Sequence, residues 1–186
     1  IINFHIKNNS DRFITPSIYD KIFIESIKID SDEFKLLPVY LKEFFIFSEE
    51  NPALKEKHLL DLFYGEIMSS ENNFIRKYFE FDSDLRNITA GINSRMNNLP
   101  IEENIINNTF FSSQLNKNTA PDFGFSGNFS FINNIIELIE EKKFTALEEK
   151  IDIIRWNYIE TLTFLEYFTI DKIIGFIEKY RILLRW

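Results

Sequence analysis

The sequence contains no cysteine, and this absence removes several kinds of chemistry. A chain without thiols forms no disulfide, holds no zinc through thiolates and has no cysteine nucleophile. Histidine is almost as scarce, since His5 and His58 are the only two and lie far apart in sequence. Neither belongs to a serine or lysine arrangement typical of a nucleophile with its base. We therefore expect no catalytic residue, and the lack of cysteine favours a cytoplasmic location.

Glycine and positive charge are also in short supply. The five glycines form neither G-x-G-x-x-G nor G-x-x-x-x-G-K-[ST], so no phosphate-binding loop is expected. The net charge of −8 should repel nucleic acid, and we expect no nucleic-acid partner. No apolar run approaches the ~20 residues of a membrane helix, and no charged segment followed by an apolar one marks a signal peptide.

Apolar residues are abundant, and their spacing is helical. Hydrophobic residues make up 45% of the 186 positions, enough for one core or for two small lobes. The most regular stretch is "NNFIRKYFEFDSDLRNITAGINSRMNN", in which apolar residues recur at steps of four and three. This seam should face partner helices; it consists of Phe74, Tyr78, Phe81, Leu85, Ile88, Ile92 and Met96. Gly91 within it is expected to allow close packing.

The C-terminal third repeats the helical pattern. Thr145 and Glu148 form a Thr-x-x-Glu capping box that predicts a helix start there. Thr169 can cap a last helix, whose apolar stripe is Ile170, Ile173, Ile177, Tyr180 and Leu184. Pro38 and Asn51-Pro52 predict two earlier helix starts. No run of alternating residues indicates a sheet, so the predicted fold is all-α, a multi-helix bundle in two lobes.

A polar, Asn-rich segment separates the two helical regions. It contains Pro121, Gly124 and Gly127 and is typical of a long connection. The sequence therefore predicts an N-terminal helical lobe over residues 1–116, a connector over 117–127 and a C-terminal helical lobe over 128–186. Because the chain begins with Ile1, the N-terminal lobe is expected to be truncated at its start.

The connector carries Asp122-Phe123-Gly124, a triplet that presents a magnesium-binding aspartate in protein kinases. The Gly-rich loop and the H-R-D-x-x-x-x-N loop of a kinase are missing from the sequence. We interpret Asp122 as the cap of a turn, Phe123 and Phe125 as buried anchors, and Gly124 as a residue with positive φ.

Metal and cofactor sites are not predicted. "DSDEF" at Asp30 and "DSDLRN" at Asp82 resemble the opening of a calcium loop, but both lack its central glycine and its glutamate at the twelfth position. Adjacent glutamates such as Glu140 and Glu141 point about 100° apart on a helix and do not form a carboxylate dyad. We interpret these residues as surface charge and expect no metal and no cofactor.

Two features near the C-terminus favour packing or binding over catalysis. Arg155 lies one turn from Asp152 and next to Trp156, so it can form a partly buried ion pair and stack on an aromatic ring. The chain ends with Leu-Leu-Arg-Trp. Trp156 and Trp186 can each be a core residue or an interface anchor, because Trp and Arg are enriched at binding hot spots.

Three strings in this sequence resemble a known family. They are "NNFIRKYFEFDSDLRNITAGINSR", "APDFGFS" and "LEEKIDIIRWNYIETLTFLEYFTIDKIIGFIEKYRILLRW". They are similar to an uncharacterised bacterial family encoded with V-type (A/V-type) ATP synthase subunits and related to the C (d) subunit of the rotary ATPase. The similarity runs from about Leu54 to Trp186.

The resemblance implies a non-catalytic, all-helical subunit that links the central shaft to the membrane rotor ring. Its partners would be other V-type ATPase subunits, and it would be cytoplasmic, reaching the inner membrane only through the complex. Two alternatives stay open: an assembly factor or helical adaptor for that complex, and an enzyme whose helical active site carries no recognisable motif.

Overall fold

Every regular element of the computed structural model is a helix within the residues it describes, 27–29, 31–107, 111–115 and 117–186. We number these helices in chain order. They are α1 (Asp32–Lys35), α2 (Val39–Ile46), α3 (Pro52–Met68), α4 (Asn73–Met96), α5 (Ile101–Asn104), α6 (Ser112–Leu115), α7 (Ile132–Glu140), α8 (Phe144–Thr163) and α9 (Ile170–Leu183). The all-α prediction is confirmed for these ranges. The calcium-like motif that begins at Asp30 starts outside them.

The chain divides into two compact units, one ending at Glu66 and one running from Ile67 to Trp186. In the first unit, α2 begins directly after Pro38 and α3 begins at Pro52, as predicted. The side-chain oxygen of Asn51 accepts a hydrogen bond from the backbone N–H of Ala53 at 3.0 Å. The core of this unit is a small cluster formed by Ile27, Phe34, Leu37, Leu41, Phe44 and Leu59.

The second unit is organised around α4. Five seam residues predicted on this helix are buried: Phe74, Tyr78, Leu85, Ile88 and Ile92. Phe81 is partly buried and packs against the same core, whereas Met96 in the last turn is exposed. Gly91 does allow close packing, because a Cβ atom there would lie 3.0 Å from Leu115 Cδ2 and 3.3 Å from Phe123 Cζ.

The predicted connector is a packed part of the second unit. Phe123 and Phe125 are both 1% exposed and belong to the core that α4, α7 and α8 share. Asp122 caps a turn, since its carboxylate accepts a hydrogen bond from the backbone N–H of Gly124 at 3.0 Å, and Gly124 has φ +77°. The interpretation of this triplet as a turn with aromatic anchors is confirmed.

The compact units divide between Glu66 and Ile67, at a different place from the predicted connector at 117–127. The physical reason is that residues on both sides of that connector fill one core. Ile88 of α4 and Ile135 of α7 belong to the same hydrophobic cluster, with Phe123 and Phe125 beside them. Polar composition marked this segment as a surface connection, but its aromatic residues bind it to the core.

Two further sequence predictions concern the ends of α8 and α9. The predicted capping box of α8 is wrong: the helix begins at Phe144, Lys143 is the residue before it, and no side chain caps it. Thr145 is therefore already inside the helix. The predicted cap of α9 is confirmed, because the Thr169 side chain accepts a hydrogen bond from the backbone N–H of Lys172 at 3.3 Å. None of the described helices combines the length and the apolar character needed to cross a lipid bilayer.

Candidate protein-interaction surface

Helix α9 packs on the rest of the second unit through one narrow side. Ile174 and Ile182 lie partly buried against the cluster formed by Phe74, Tyr78 and Ile159. Between them, Gly175 is buried, and a Cβ atom at this position would lie 2.9 Å from the Thr163 methyl carbon and 3.1 Å from Ile159 Cγ2. The backbone of α9 therefore lies in direct contact with side chains of α8.

The other side of α9 is apolar and exposed to solvent. We call it the α9 apolar face, and it comprises Ile173, Phe176, Ile177, Tyr180, Leu183 and Leu184. Their exposed fractions lie between 48% and 70%. Four of the five residues of the predicted stripe belong to this face, and the fifth, Ile170, is exposed as well. A helix that is apolar on two opposite sides is normally buried on both, so this face has the character of a surface made for contact.

The loop that leads into α9 adds four more exposed apolar side chains. We call it the aromatic loop; its exposed residues are Phe164, Leu165, Tyr167 and Phe168. Phe168 is fully exposed and has φ +58°. A bulky residue in the left-handed region is uncommon and costs of order 1–3 kcal/mol. The fold thus holds an aromatic ring in water at an energetic cost, immediately before the first turn of α9.

A charged cluster fixes α8 against α4. Arg155 donates from Nε to Asp82 Oδ1 at 2.7 Å and from Nη1 to Asp152 Oδ1 at 3.2 Å. Asp82 also accepts from Arg86 Nε at 3.0 Å. The predicted ion pair between Arg155 and Asp152 is confirmed. Burial opposes the charge of the Arg155 guanidinium, but Asp82 more than offsets this, so the pKa of Arg155 lies above its ordinary value.

The same cluster holds the end of the chain. Asp152 accepts a hydrogen bond from Arg185 Nη1 at 3.0 Å and another from the indole N–H of Trp186 at 3.0 Å. Arg185 also pairs with Glu148. The Trp186 ring remains exposed, so one edge of this residue is anchored while its apolar part faces solvent.

Trp156 does not stack on Arg155. Its ring is half-buried, and the ammonium group of Lys179 lies 5.0 Å from the ring centroid. Lys179 also pairs with Glu160, and this hydrogen bond lowers the pKa of the Glu160 carboxyl. The cation beside Trp156 thus comes from α9 and not from the adjacent arginine on α8.

The described residues bring no metal-binding constellation together. Among them, no group of three or more histidine, aspartate or glutamate side chains is placed to hold a metal ion. Asp82, in the calcium-like motif, is buried and pairs with two arginines, so its interpretation as surface charge is wrong. His58 stacks on Phe47 with 3.8 Å between ring centroids, as a packed residue does. The feature of this region best suited to a function is therefore the apolar surface of α9 and the aromatic loop.

Sequence reasoning missed part of this surface. Phe176 and Leu183 were not included in the predicted stripe, although their spacing to Ile173 and Tyr180 would have identified them. The pairing of Arg155 with Asp82 was also missed, because the two residues lie 73 positions apart and leave no spacing signal.

The family model described as "Protein of unknown function (DUF2764)" matches residues 8–186, almost the whole chain. No curated protein and no solved structure matches it.

Proposed function

The chain belongs to the DUF2764 family, and we propose that it acts by binding other proteins, as a non-catalytic component of a larger assembly. The observation that carries this proposal is the α9 apolar face. Monomeric proteins in water rarely expose contiguous apolar patches larger than a few hundred Å², and larger ones mark interaction sites. The aromatic loop extends the exposed apolar surface by a further four large side chains.

The energy available at this face is sufficient for binding but not excessive. Fully burying a Leu, Ile or Phe side chain contributes about 1.5–3 kcal/mol. The six residues are between 48% and 70% exposed, so covering the rest contributes about 5–10 kcal/mol in total. Association itself costs on the order of 4–15 kcal/mol. A stable complex therefore needs further contacts, and the aromatic loop and Trp186 are available to make them.

The assembly we propose is a V-type rotary ATPase. The support for this choice is the sequence resemblance from about Leu54 to Trp186, and the all-helical structure agrees with what that resemblance implies. In this role the protein is a C-like (d-like) stalk subunit that links the central shaft to the rotor ring. It has no turnover of its own and reaches the inner membrane from the cytoplasm through the complex.

The test is the composition of the native complex. The tagged full-length protein is purified from its own cells in mild detergent, and the associated subunits are identified and quantified by mass spectrometry. About one copy for each intact V-type complex, retained through washing, is the expected result. Recovery with unassembled subunits only would indicate an assembly factor. Recovery without any V-type subunit would refute the choice of complex.

A further inference from the structure

From the α9 apolar face we infer the kind of partner that it binds: an amphipathic helix of another protein, with acidic residues beside its apolar stripe. This inference rests on the proposed function as a binding protein. It does not depend on which complex the protein joins.

The spacing of the apolar residues favours a helix as the partner. Ile173, Phe176, Tyr180 and Leu183 follow one another at intervals of three, four and three, the a and d pattern of a heptad repeat. Ile177 widens this stripe on one side. With 14 residues, α9 presents about 21 Å of surface, or two heptads. A second helix laid along this stripe covers successive a and d residues at once, whereas an irregular segment does not match the repeat.

The charges beside the stripe favour acidic residues on that helix. Lys172 stands one residue before an a position, where flanking side chains face those of a partner helix. Lys179 occupies the equivalent position one heptad later, but it is paired with Glu160 of α8, so Lys172 is the cation left for a partner. Lys172 donates to the carbonyl oxygen of Thr163, a neutral acceptor. The two acidic residues of α9 are turned away: Asp171 accepts from Asn72 at 2.6 Å, and Glu178 is largely buried beside Arg181.

The α9 helix of a second copy lacks the acidic flanking residues that the partner helix needs. In an antiparallel pair of α9 helices, Lys172 would face a lysine at the same kind of position on the other copy, and no carboxylate of α9 stands there. In a parallel pair Lys172 would face apolar residues such as Ile177. The charge pattern therefore favours a different protein over self-association.

A lipid surface is a weaker match than a protein helix. An interfacial helix needs its polar side free, with lysine and arginine facing anionic headgroups. The side of α9 opposite its apolar face is packed against the unit through Ile174, Gly175 and Ile182. The net charge of −8 also opposes approach to anionic lipid.

The experiment is site-specific photo-crosslinking in the protein's own cells. A photoreactive phenylalanine analogue replaces Tyr180 in the full-length protein, and crosslinked peptides are sequenced by mass spectrometry. The control carries the analogue at Met96, which is also exposed and apolar. Met96 lies 22 residues along α4 from Phe74, the residue of α4 that packs near α9, and this spacing corresponds to about 33 Å. We expect crosslinks from position 180 to a helix of another protein. That helix should have apolar residues at steps of three and four, with Asp or Glu beside them. The analogue at position 96 should give no crosslink to this helix.

Two substitutions separate this inference from the proposed function. Ile177→Asp should lower the crosslink yield at position 180 at least about 10-fold, because it places a charge in the contact, while Met96→Asp should not change it. Lys172→Glu should lower the yield about 5-fold and Lys172→Arg should preserve it. Far-UV circular dichroism checks that each variant keeps its helix content.

The outcomes distinguish a failure of the proposed function from a failure of the inference about the partner. If Ile177→Asp has no effect, the face does not bind a partner and the proposed mode of action fails. If Ile177→Asp abolishes crosslinking but Lys172→Glu leaves it unchanged or raises it, binding stands and the acidic partner is refuted. Crosslinks to a second copy of this chain, to lipid, or to a segment without the repeat overturn the inference, as does a complex that is recovered intact with no crosslink at position 180.

Discussion

The charged cluster between α4 and α8 allows a quantitative test of the fold. We predict that Arg155→Met destabilises the second unit far more than Arg86→Met, although both arginines bind the same carboxylate. Arg155 pairs with Asp82 at 2.7 Å, and its side chain is 11% exposed. Arg86 pairs with Asp82 at 3.0 Å, and its side chain is 47% exposed. Methionine keeps an unbranched apolar stem and a high helix propensity.

The expected loss of stability depends on the partners that Asp82 and Asp152 retain after the substitution. Removing one partner of a buried ion pair costs about 3–5 kcal/mol when the other charge is left unpaired. After Arg155→Met, Asp82 keeps Arg86, and Asp152 keeps Arg185 and the Trp186 indole. We therefore expect a loss of about 2–3 kcal/mol, below the range for a fully abandoned charge. The exposed Arg86 should contribute about 0.2–1 kcal/mol.

The assay is urea unfolding followed by tryptophan fluorescence. Trp156 and Trp186 are the only tryptophans in the sequence, and both lie in the second unit, so the signal reports the stability of that unit. The free energy of unfolding is compared for the unchanged protein and the two variants at pH 7. If Arg155→Met and Arg86→Met cost the same, or if Arg155→Met costs less than about 1 kcal/mol, the buried charged cluster does not stabilise the second unit more than an exposed ion pair would.

Three further predictions use the same assay. Leu85→Ala and Ile88→Ala should each cost about 2–5 kcal/mol because both side chains are 1% exposed; neutral results would mean that the seam does not face the core. Gly175→Ala should destabilise by about 1–3 kcal/mol despite its better helix propensity, because the new methyl collides with stiff β-branched side chains of α8; a gain in stability would show that α8 and α9 are less closely packed. Burial, assisted by nearby carboxylates, raises the pKa of Tyr78 above its ordinary value. Above about pH 10 the unfolded state loses the Tyr78 proton while the folded state keeps it. The contribution of Tyr78 to the free energy of unfolding is therefore complete below about pH 10 and declines as the pH rises further. Tyr78→Phe should make the urea midpoint less sensitive to pH between about 9 and 11, and an unchanged slope would contradict this reasoning.

Periodicity predicted the elements well where one side of a helix is covered. The seam of α4 was predicted because its apolar residues face the core. The prediction was inaccurate only at Met96, which is exposed in the last turn. Helix α9 shows the limit of the method. Its stripe was recognised, but periodicity measures how apolar residues are spaced and not which of them a neighbouring helix covers. The covered side depends on Gly175, whose importance comes from close contact with α8.

Polar contacts were predictable only when they were local. Asp152 and Arg155 lie one turn apart on one helix, so their pairing follows from helical geometry. Asp82 joins them from 73 residues away, and no rule of spacing links such positions. The capping box at Thr145 failed for a related reason: a favourable local motif does not prevent a helix from beginning earlier when Leu147 and Ile151 are drawn into the core.

The contact at Gly175 also determines how a partner would arrive. Because no Cβ atom fits there, α9 cannot turn about its own axis without pushing a larger residue against Thr163 and Ile159. The α9 apolar face is therefore already in its final orientation before any encounter. Binding therefore requires no prior folding or rotation of α9. The association rate constant should fall within the ordinary range for preformed surfaces, about 10⁵–10⁷ M⁻¹s⁻¹. Differences in affinity between complexes of related proteins would then come mainly from their dissociation rates.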